Sequence, residues 1–455
     1  MNVVIIGAGP AGLLLAHRLL ARSSHYQVFI YEQRSDPRKL RSDQRAFVLS
    51  LTERGQTDLK AIDGLWSAVE QRGVAIRKTG VYSKKRQQWQ VFERSSGVEK
   101  YSLLINRNHL CSALLDELEK RKYPGLHLNF DTACAKVDLK AHQVTLAAKD
   151  GQSMEQPYDL LVGADGIHSV VKAALLKQPG FDFQQSYFDK VWKALHLPQP
   201  QAFAADTSYF FRVTSPATDA KALPIQISGA AIPELDDQFC LLIFWGQAPD
   251  QAQNNPPGIE TPTDLQKMIF EQWLPGLQVS DAAAQAFCER RPSSILETHC
   301  DRYHDQTGQA VLVGDAAHAM SSFLAQGCQA AFADVVALDR CLQASEDQLQ
   351  DALPQYSALQ VKEGHAITEL NILLRPQAKW VSSLFSVAMM MQGKLNQRFP
   401  NRFSPTPSTL LSKTSMPYAE ICDRFKSWFS LIRWSNQRML AKQKSAQSKS
   451  VATNS

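Results

Sequence analysis

MNVVIIGAGPAGLLLAHRLLARSSHYQVFIYE, residues 1–32, runs from a short apolar segment (Val3–Ile6) into Gly7-Ala8-Gly9-Pro10-Ala11-Gly12. A helical pattern follows through Leu13, Leu14, Ala16, Leu19 and Leu20, and a second apolar run, Val28–Tyr31, ends on Glu32. Strand, glycine turn, helix, strand and acid in this order make a dinucleotide-binding βαβ unit. Gly7 permits the tight turn out of the strand. Gly9, lacking a Cβ, lets a pyrophosphate approach the backbone, and Gly12 lets the helix pack on the strand. The helix start offers unpaired N–H groups and the positive end of its dipole to phosphate. Glu32, 20 residues past Gly12, is placed to accept hydrogen bonds from ribose hydroxyls. A carboxylate there disfavours a 2′-phosphate, so FAD or NAD is expected over NADP.

Working outward, the 455 residues are 44% hydrophobic and 20% charged, a globular composition with room for two or more domains. The eight cysteines (111, 134, 240, 288, 300, 328, 341 and 422) form no CxxC pair and no Cys/His cluster, so no metal site is expected. They read as reduced thiols of a cytoplasmic protein. The apolar opening is too short for a signal peptide and lacks a basic leader. No window of 18 apolar residues suggests a membrane span. The net charge of +5 is uneven: ten Lys/Arg and two acids lie from Arg398 onward, which leaves about −3 on the rest. Basic residues confined to a tail, without a recognition motif, exclude nucleic-acid binding.

Along the chain, Gln33 and Arg34 open a polar loop, and Arg45 precedes a helix expected over Thr52–Ile62. Alternating segments within 71–100 predict inserted strands. Leu103–Leu110 runs from strand into helix. Leu126–Val137 and Gln143–Ala148 read as two strands. Tyr158–Gly166 is a buried strand ending in Gly163-Ala164-Asp165-Gly166, and Ala310–His318 is another, ending in Gly314-Asp315. From 181 to 302, short aromatic-rich alternating segments predict a mostly antiparallel sheet with helices over Thr263–Leu274 and Asp281–Glu289. Helices are expected over Gly327–Leu342 and Ala352–Leu374, then a proline-rich linker over Asn396–Ser408. Ile421–Leu440 is amphipathic and basic, suited to docking on the body or to peripheral membrane contact. The fold class expected is α/β, α+β overall. The nucleotide domain occupies 1–180 and 303–345, a β-sheet substrate domain 181–302, a helical region 346–440 and a disordered tail 441–455.

Three motifs, GAGPAG at 7–12, GADG at 163–166 and GDAAHA at 314–319, together resemble the FAD-dependent aromatic hydroxylases, the single-component flavoprotein monooxygenases. The resemblance implies a Rossmann-like FAD-binding domain with an inserted β-sheet substrate domain. It implies that Asp315 meets the ribityl chain of FAD, and that Asp165 and Gly166 hold the pyrophosphate region and serve the nicotinamide cofactor. Arg107, opening an Arg-x-x-Leu helix, would contact FAD. The implied cofactor-binding set is Gly7, Gly9, Pro10, Ala11, Gly12, Glu32, Gln33, Arg34, Arg45, Arg107, Cys134, Asp165, Gly166, Gly314, Asp315 and Gly327.

Phe181–Tyr187 and Gly364–Leu370 are similar to the kynurenine-hydroxylating branch of the family. The chain departs from the family pattern at Ser322, where proline is usual, and at Ala325, where glycine is usual. It also carries Thr79-Gly80 where that branch places an arginine for the substrate carboxylate. The implied activity is hydroxylation of an aromatic ring with FAD, NAD(P)H as transient co-substrate, and O2. No protein nucleophile is required, which agrees with the lack of a Gly-x-Ser-x-Gly motif. The helix start at Gly327 is placed to stabilise negative charge on the flavin. A flavin-dependent reductase or dehydrogenase, or a non-hydroxylating flavoprotein, is the alternative on the same fold.

Overall fold

A computed structural model describes all residues except 40–46, 84–85, 87, 94–100, 201–202, 215–225, 248–253, 276 and 453–455. It falls into two units, Met1–Ser357 and Ala358–Ser455. In the first, five parallel strands form a sheet ordered Ala310–Leu312, Leu160–Gly163, Asn2–Ile6, Gln27–Tyr31, Leu126–Asn129. The opening strand is central. The chain builds outward from it on one side, then returns to build on the other. The order therefore reverses at the carboxyl end of Asn2–Ile6, the point at which open α/β sheets bind ligands. Val3, Val4 and Ile5 are fully buried, as a strand covered on both faces must be. The helix Pro10–Arg22 packs beside the helices Arg107–Lys120 and Gly327–Ala344.

The larger sheet has seven strands, ordered Ser293–Cys300, Phe183–Pro198, Gln238–Gly246, Gln226–Glu234, Thr207–Thr214, Lys78–Ser83, Gln88–Glu93. All pairs are antiparallel except Thr207–Thr214 with Lys78–Ser83. The strands predicted within 71–100 thus extend this sheet at its edge. Its two faces differ. Leu195, Phe211, Leu241 and Trp245 pack against helical residues Leu265, Trp273 and Phe287. The opposite face carries Trp192, Ala194, Cys240 and Leu242 onto Val48, Ile76 and Leu104. These last three belong to a three-stranded antiparallel sheet (Val48–Leu51, Ser102–Asn106, Val74–Ile76) in the nucleotide-binding half.

Two predicted elements are divided. Leu126–Val137 forms two strands, Leu126–Asn129 in the parallel sheet and Thr132–Asp138 in a separate antiparallel meander. The break falls at Asp131, which has φ +54; short polar side chains tolerate this left-handed region. The helix over 263–274 is α-helical across Pro262–Met268 and π-helical across Ile269–Trp273.

The second unit is helical. It comprises the end of the helix Leu349–Leu373, then Lys379–Arg398, Pro407–Lys413, Tyr418–Arg424 and Lys426–Ala452. The last helix continues into the stretch that the sequence presents as a polar tail. Ile421, Phe425, Phe429 and Ile432 are buried, and Trp428 meets Phe385 edge-on at 5.7 Å between ring centroids. Arg433 pairs with Glu369. Part of the apolar face of the basic helix is therefore packed, while Trp434 stays exposed. No described helix is long and apolar enough to cross a membrane.

Candidate cofactor-binding site

The chain leaves the opening strand through Gly7, at φ +107. A Cβ there would lie 2.4 Å from the carbonyl oxygen of Ala164, and one on Gly12 would lie 2.2 Å from the carbonyl oxygen of Gly7. Both are backbone collisions that no rotamer relieves, so glycine is obligatory at each. Gly9 caps the helix Pro10–Arg22 in extended conformation, and no side chain among the described residues caps the helix start. Pro10, at the first position, has no N–H to lose. The first-turn N–H groups are thereby left for an anion.

Glu32 ends the second strand and turns back to this loop. One carboxylate oxygen accepts from the Ala8 N–H at 3.0 Å and the other from the Arg34 N–H at 2.9 Å. A carboxylate has about four acceptor positions, so roughly two stay available to a ligand hydroxyl. Gln33 and Arg34 are exposed beyond it. Arg107 opens its helix after Asn106, whose side chain accepts from the Asn108 N–H at 2.9 Å. The guanidinium lies over the glycine turn, 3.5 Å from where a Cβ on Gly9 would stand.

On the other side of the opening strand, Asp165 and Gly166 (φ +77) follow the strand Leu160–Gly163. Asp165 Oδ2 accepts from the Val170 N–H at 2.7 Å. Its Oδ1 is buried without a hydrogen-bond donor among the described residues. Burial pushes this carboxyl above its ordinary value, against hydrogen bonds that favour the charged form. Cys134 is buried, its Sγ 3.6 Å from the Lys136 carbonyl oxygen. Burial, with the Asp165 charge adding to it, pushes the thiol up to about 12. It therefore stays protonated, an inert wall residue.

The strand Ala310–Leu312 delivers the third loop. Gly314 has φ +62, and its N–H donates to Asp334 Oδ2 at 2.7 Å. The same oxygen lies 2.6 Å from His318 Nε2. His318 is 2% exposed and Asp334 1%. Burial alone would lower the His318 pKa, but the Asp334 charge and hydrogen bond outweigh it and the net shift is upward. This pair holds the loop closed around Gly314, leaving Asp315 exposed between buried neighbours. Asp315 is open to solvent yet densely surrounded by protein atoms. That crowding raises its carboxyl pKa, while His318 and Arg107 draw it back down. A Cβ on Gly327, which opens the helix Gly327–Ala344, would be 4.0 Å from Asp315 Oδ1.

Gly7–Gly12, Arg107, Asp165 and Asp315–Gly327 thus converge at the carboxyl ends of three adjacent parallel strands, with Glu32 closing the adjoining side. Arg45 lies outside the described residues. Sequence reasoning missed Asp334 and Gln329. Gln329 is buried, accepts from the Thr52 N–H at 3.2 Å and donates to the Ala325 carbonyl at 3.1 Å. Both residues sit inside a helix whose pattern carries no separate signal for either. The residues fit FAD on two observations: an open glycine cradle at a helix start, and a buried acceptor, Asp165 Oδ1, that awaits a donor.

A family model described as FAD binding domain matches residues 1–359. The kynurenine 3-monooxygenase of Stenotrophomonas maltophilia (strain K279a) is 30% identical over 433 residues, covering 93% of this chain and 90% of that protein. The violacein synthase of Chromobacterium violaceum is 27% identical over 449 residues, covering 95% and 99%. Among solved structures, the tetrameric form of 2-methyl-3-hydroxypyridine-5-carboxylic acid oxygenase matches with TM-score 0.62 and 20% identity over 90% of this chain and 95% of that one. This last match establishes likeness of fold.

Proposed function

The chain belongs to the FAD-dependent aromatic hydroxylases, and on that premise we propose that it is an NAD(P)H- and O2-dependent monooxygenase acting on a small aromatic substrate, kynurenine being the first to test. The observation that carries this is the meeting of three loops, distant in sequence, at the strand-order reversal, with Asp315 exposed among buried neighbours. FAD, when bound, supplies the redox chemistry. The chain binds and orients it. Glu32 would take the adenosine ribose, and the helix start at Pro10, with Arg107, the pyrophosphate. Asp165 lies near the pyrophosphate and Asp315 takes the ribityl chain. The helix start at Gly327 would stabilise negative charge on the flavin ring.

A single βαβ fingerprint serves the tightly held cofactor, so NAD(P)H docks transiently. The seven-stranded sheet forms the wall that keeps water from the reacting ring.

Rapid-mixing reduction of the purified yellow protein by NADPH or NADH, with and without L-kynurenine and simple aromatic acids, tests the proposal. Expected are faster flavin reduction with an aromatic, uptake of O2 and a hydroxylated product. Stimulation by another aromatic, with none by kynurenine, keeps the monooxygenase and replaces the substrate. Reduction without aromatic-stimulated O2 uptake overturns the monooxygenase in favour of a reductase.

A further inference from the structure

Glu297 stands in the edge strand Ser293–Cys300 of the larger sheet and is 4% exposed. Among the described residues its Oε1, sealed from solvent, has no hydrogen-bond partner, and its carboxyl makes no ion pair. A buried carboxyl without a donor is costly, and a leucine or glutamine would fill the space at less expense.

Strand register decides which way Glu297 points. It lies opposite Ser186, and Ser293 lies opposite Trp192. Directly opposed residues share a face, and alternate residues of one strand share it too. Glu297 is therefore on the face of Trp192 and Ala194, the one turned to Val48, Ile76 and Leu104 of the nucleotide-binding half. Its neighbour Thr298 is joined to the loop that follows Asp315. The Thr298 N–H donates to the Ala319 carbonyl at 2.8 Å, and the Ala319 N–H donates to Thr298 Oγ1 at 2.8 Å. Glu297 is thus fixed one residue from the loop running between Asp315 and Gly327, at the junction of sheet and cofactor site.

We propose that Glu297 is a substrate-positioning carboxylate that receives a nitrogen-borne proton donor, so that the substrate of this site is an amine-bearing aromatic. The proposal rests on the monooxygenase reading above and narrows its substrate class. A cation suits the position better than a neutral hydroxyl, because a charge-assisted bond offsets the desolvation of a carboxylate more fully than a neutral one does. Burial alone, with no charged neighbour contributing, raises the Glu297 carboxyl to about 7 and disfavours its charged form, which an arriving ammonium would restore.

The test uses the full-length FAD-loaded protein and isothermal titration calorimetry with two probes. Kynuramine carries amino groups and no carboxylate; 3-benzoylpropionate has a related skeleton without amino groups. In Glu297→Gln, close to isosteric, the Kd for kynuramine is expected to rise about tenfold or more, a loss of one charge-assisted bond. The Kd for 3-benzoylpropionate should stay within about twofold, the scale of a change that removes no contact. Glu297→Asp should recover part of the kynuramine affinity; unchanged flavin absorbance and circular dichroism in both variants establish that they fold. Equal shifts for both probes, no shift for kynuramine, or no kynuramine binding by the unmodified protein overturns the proposal. Aromatic-stimulated NAD(P)H consumption alongside any of those results leaves the monooxygenase standing. Glu297-dependent kynuramine binding without such consumption sinks the monooxygenase and keeps the amine site.

Discussion

Replacing Glu297 with glutamine should change the pH dependence of folding stability by an amount the structure allows to be worked out. The carboxyl moves from an ordinary 4.5 to about 7 because it is buried, and no charged group contributes to the shift. On the same face, Ser186 lies opposite it and His299 is next along its own strand. The folded protein therefore holds a proton that the unfolded chain releases between those two values. Stability falls as pH rises through that window and levels off above the folded value. The penalty is about 1 kcal/mol at about pH 5 and about 3 kcal/mol at about pH 8, at 1.36 kcal/mol per pKa unit. Any constant cost of burying the glutamine amide is the same at both pH values and cancels. The stability of Glu297→Gln relative to the unmodified protein should thus rise by about 2 kcal/mol between them. Urea unfolding of both FAD-loaded proteins, followed by tryptophan fluorescence, gives this difference. Stability curves that stay parallel from pH 5 to pH 8 would refute the reasoning, because they would mean that Glu297 ionises as freely in the fold as outside it.

Three further outcomes are expected. Asp334→Ala strips the buried partner from His318 Nε2 and the Gly314 N–H; a loss of about 3–5 kcal/mol by urea unfolding, with flavin released on gel filtration, is the expected result. Ala325 sits at φ +51 and ψ +36, so Ala325→Gly removes a left-handed strain of about 1 kcal/mol and adds unfolded-state entropy. A net gain of about 0.5 kcal/mol in the urea midpoint should remain. Gly7→Ala would place a Cβ 2.4 Å from a backbone oxygen; the variant should emerge without flavin absorbance at about 450 nm, since the turn must move to accept the methyl group.

The nucleotide half was legible because its recognition is done by backbone. A phosphate held by N–H groups at a helix start needs close approach and positive φ, so glycine is written into the sequence at Gly7, Gly12, Gly166 and Gly314. The spacing of these glycines after apolar runs then gives strand and turn together. The larger sheet was legible as alternation, without its order. Lys78–Ser83 joins it through a parallel pairing with Thr207–Thr214 that spans more than a hundred residues, and no local pattern encodes such a partner. The split of Leu126–Val137 was readable in principle, since Asn129-Phe130-Asp131 carries turn-forming residues inside an otherwise alternating run. Asp334 and Glu297 were not. Each is a polar residue in a regular element, and what distinguishes it is a burial that only the assembled fold creates.

The direction in which Glu297 points rests on the pairing of a single strand. Between Tyr187 and Val191 the strand Phe183–Pro198 advances four residues, while its partner advances two, from Leu296 to Ser294. A bulge normally inserts one residue, and one residue would exchange the two faces on either side of it. Here the excess is two, so parity is kept, and Ser186 and Trp192 remain on one face although the ladder between them is interrupted. An odd excess would have turned Glu297 to the sheet face on which Phe287 and Trp273 pack. The even bulge instead allows a strand whose inner residues otherwise satisfy the core to hold one acid at the cofactor side, pinned through Thr298 to the loop that carries Asp315.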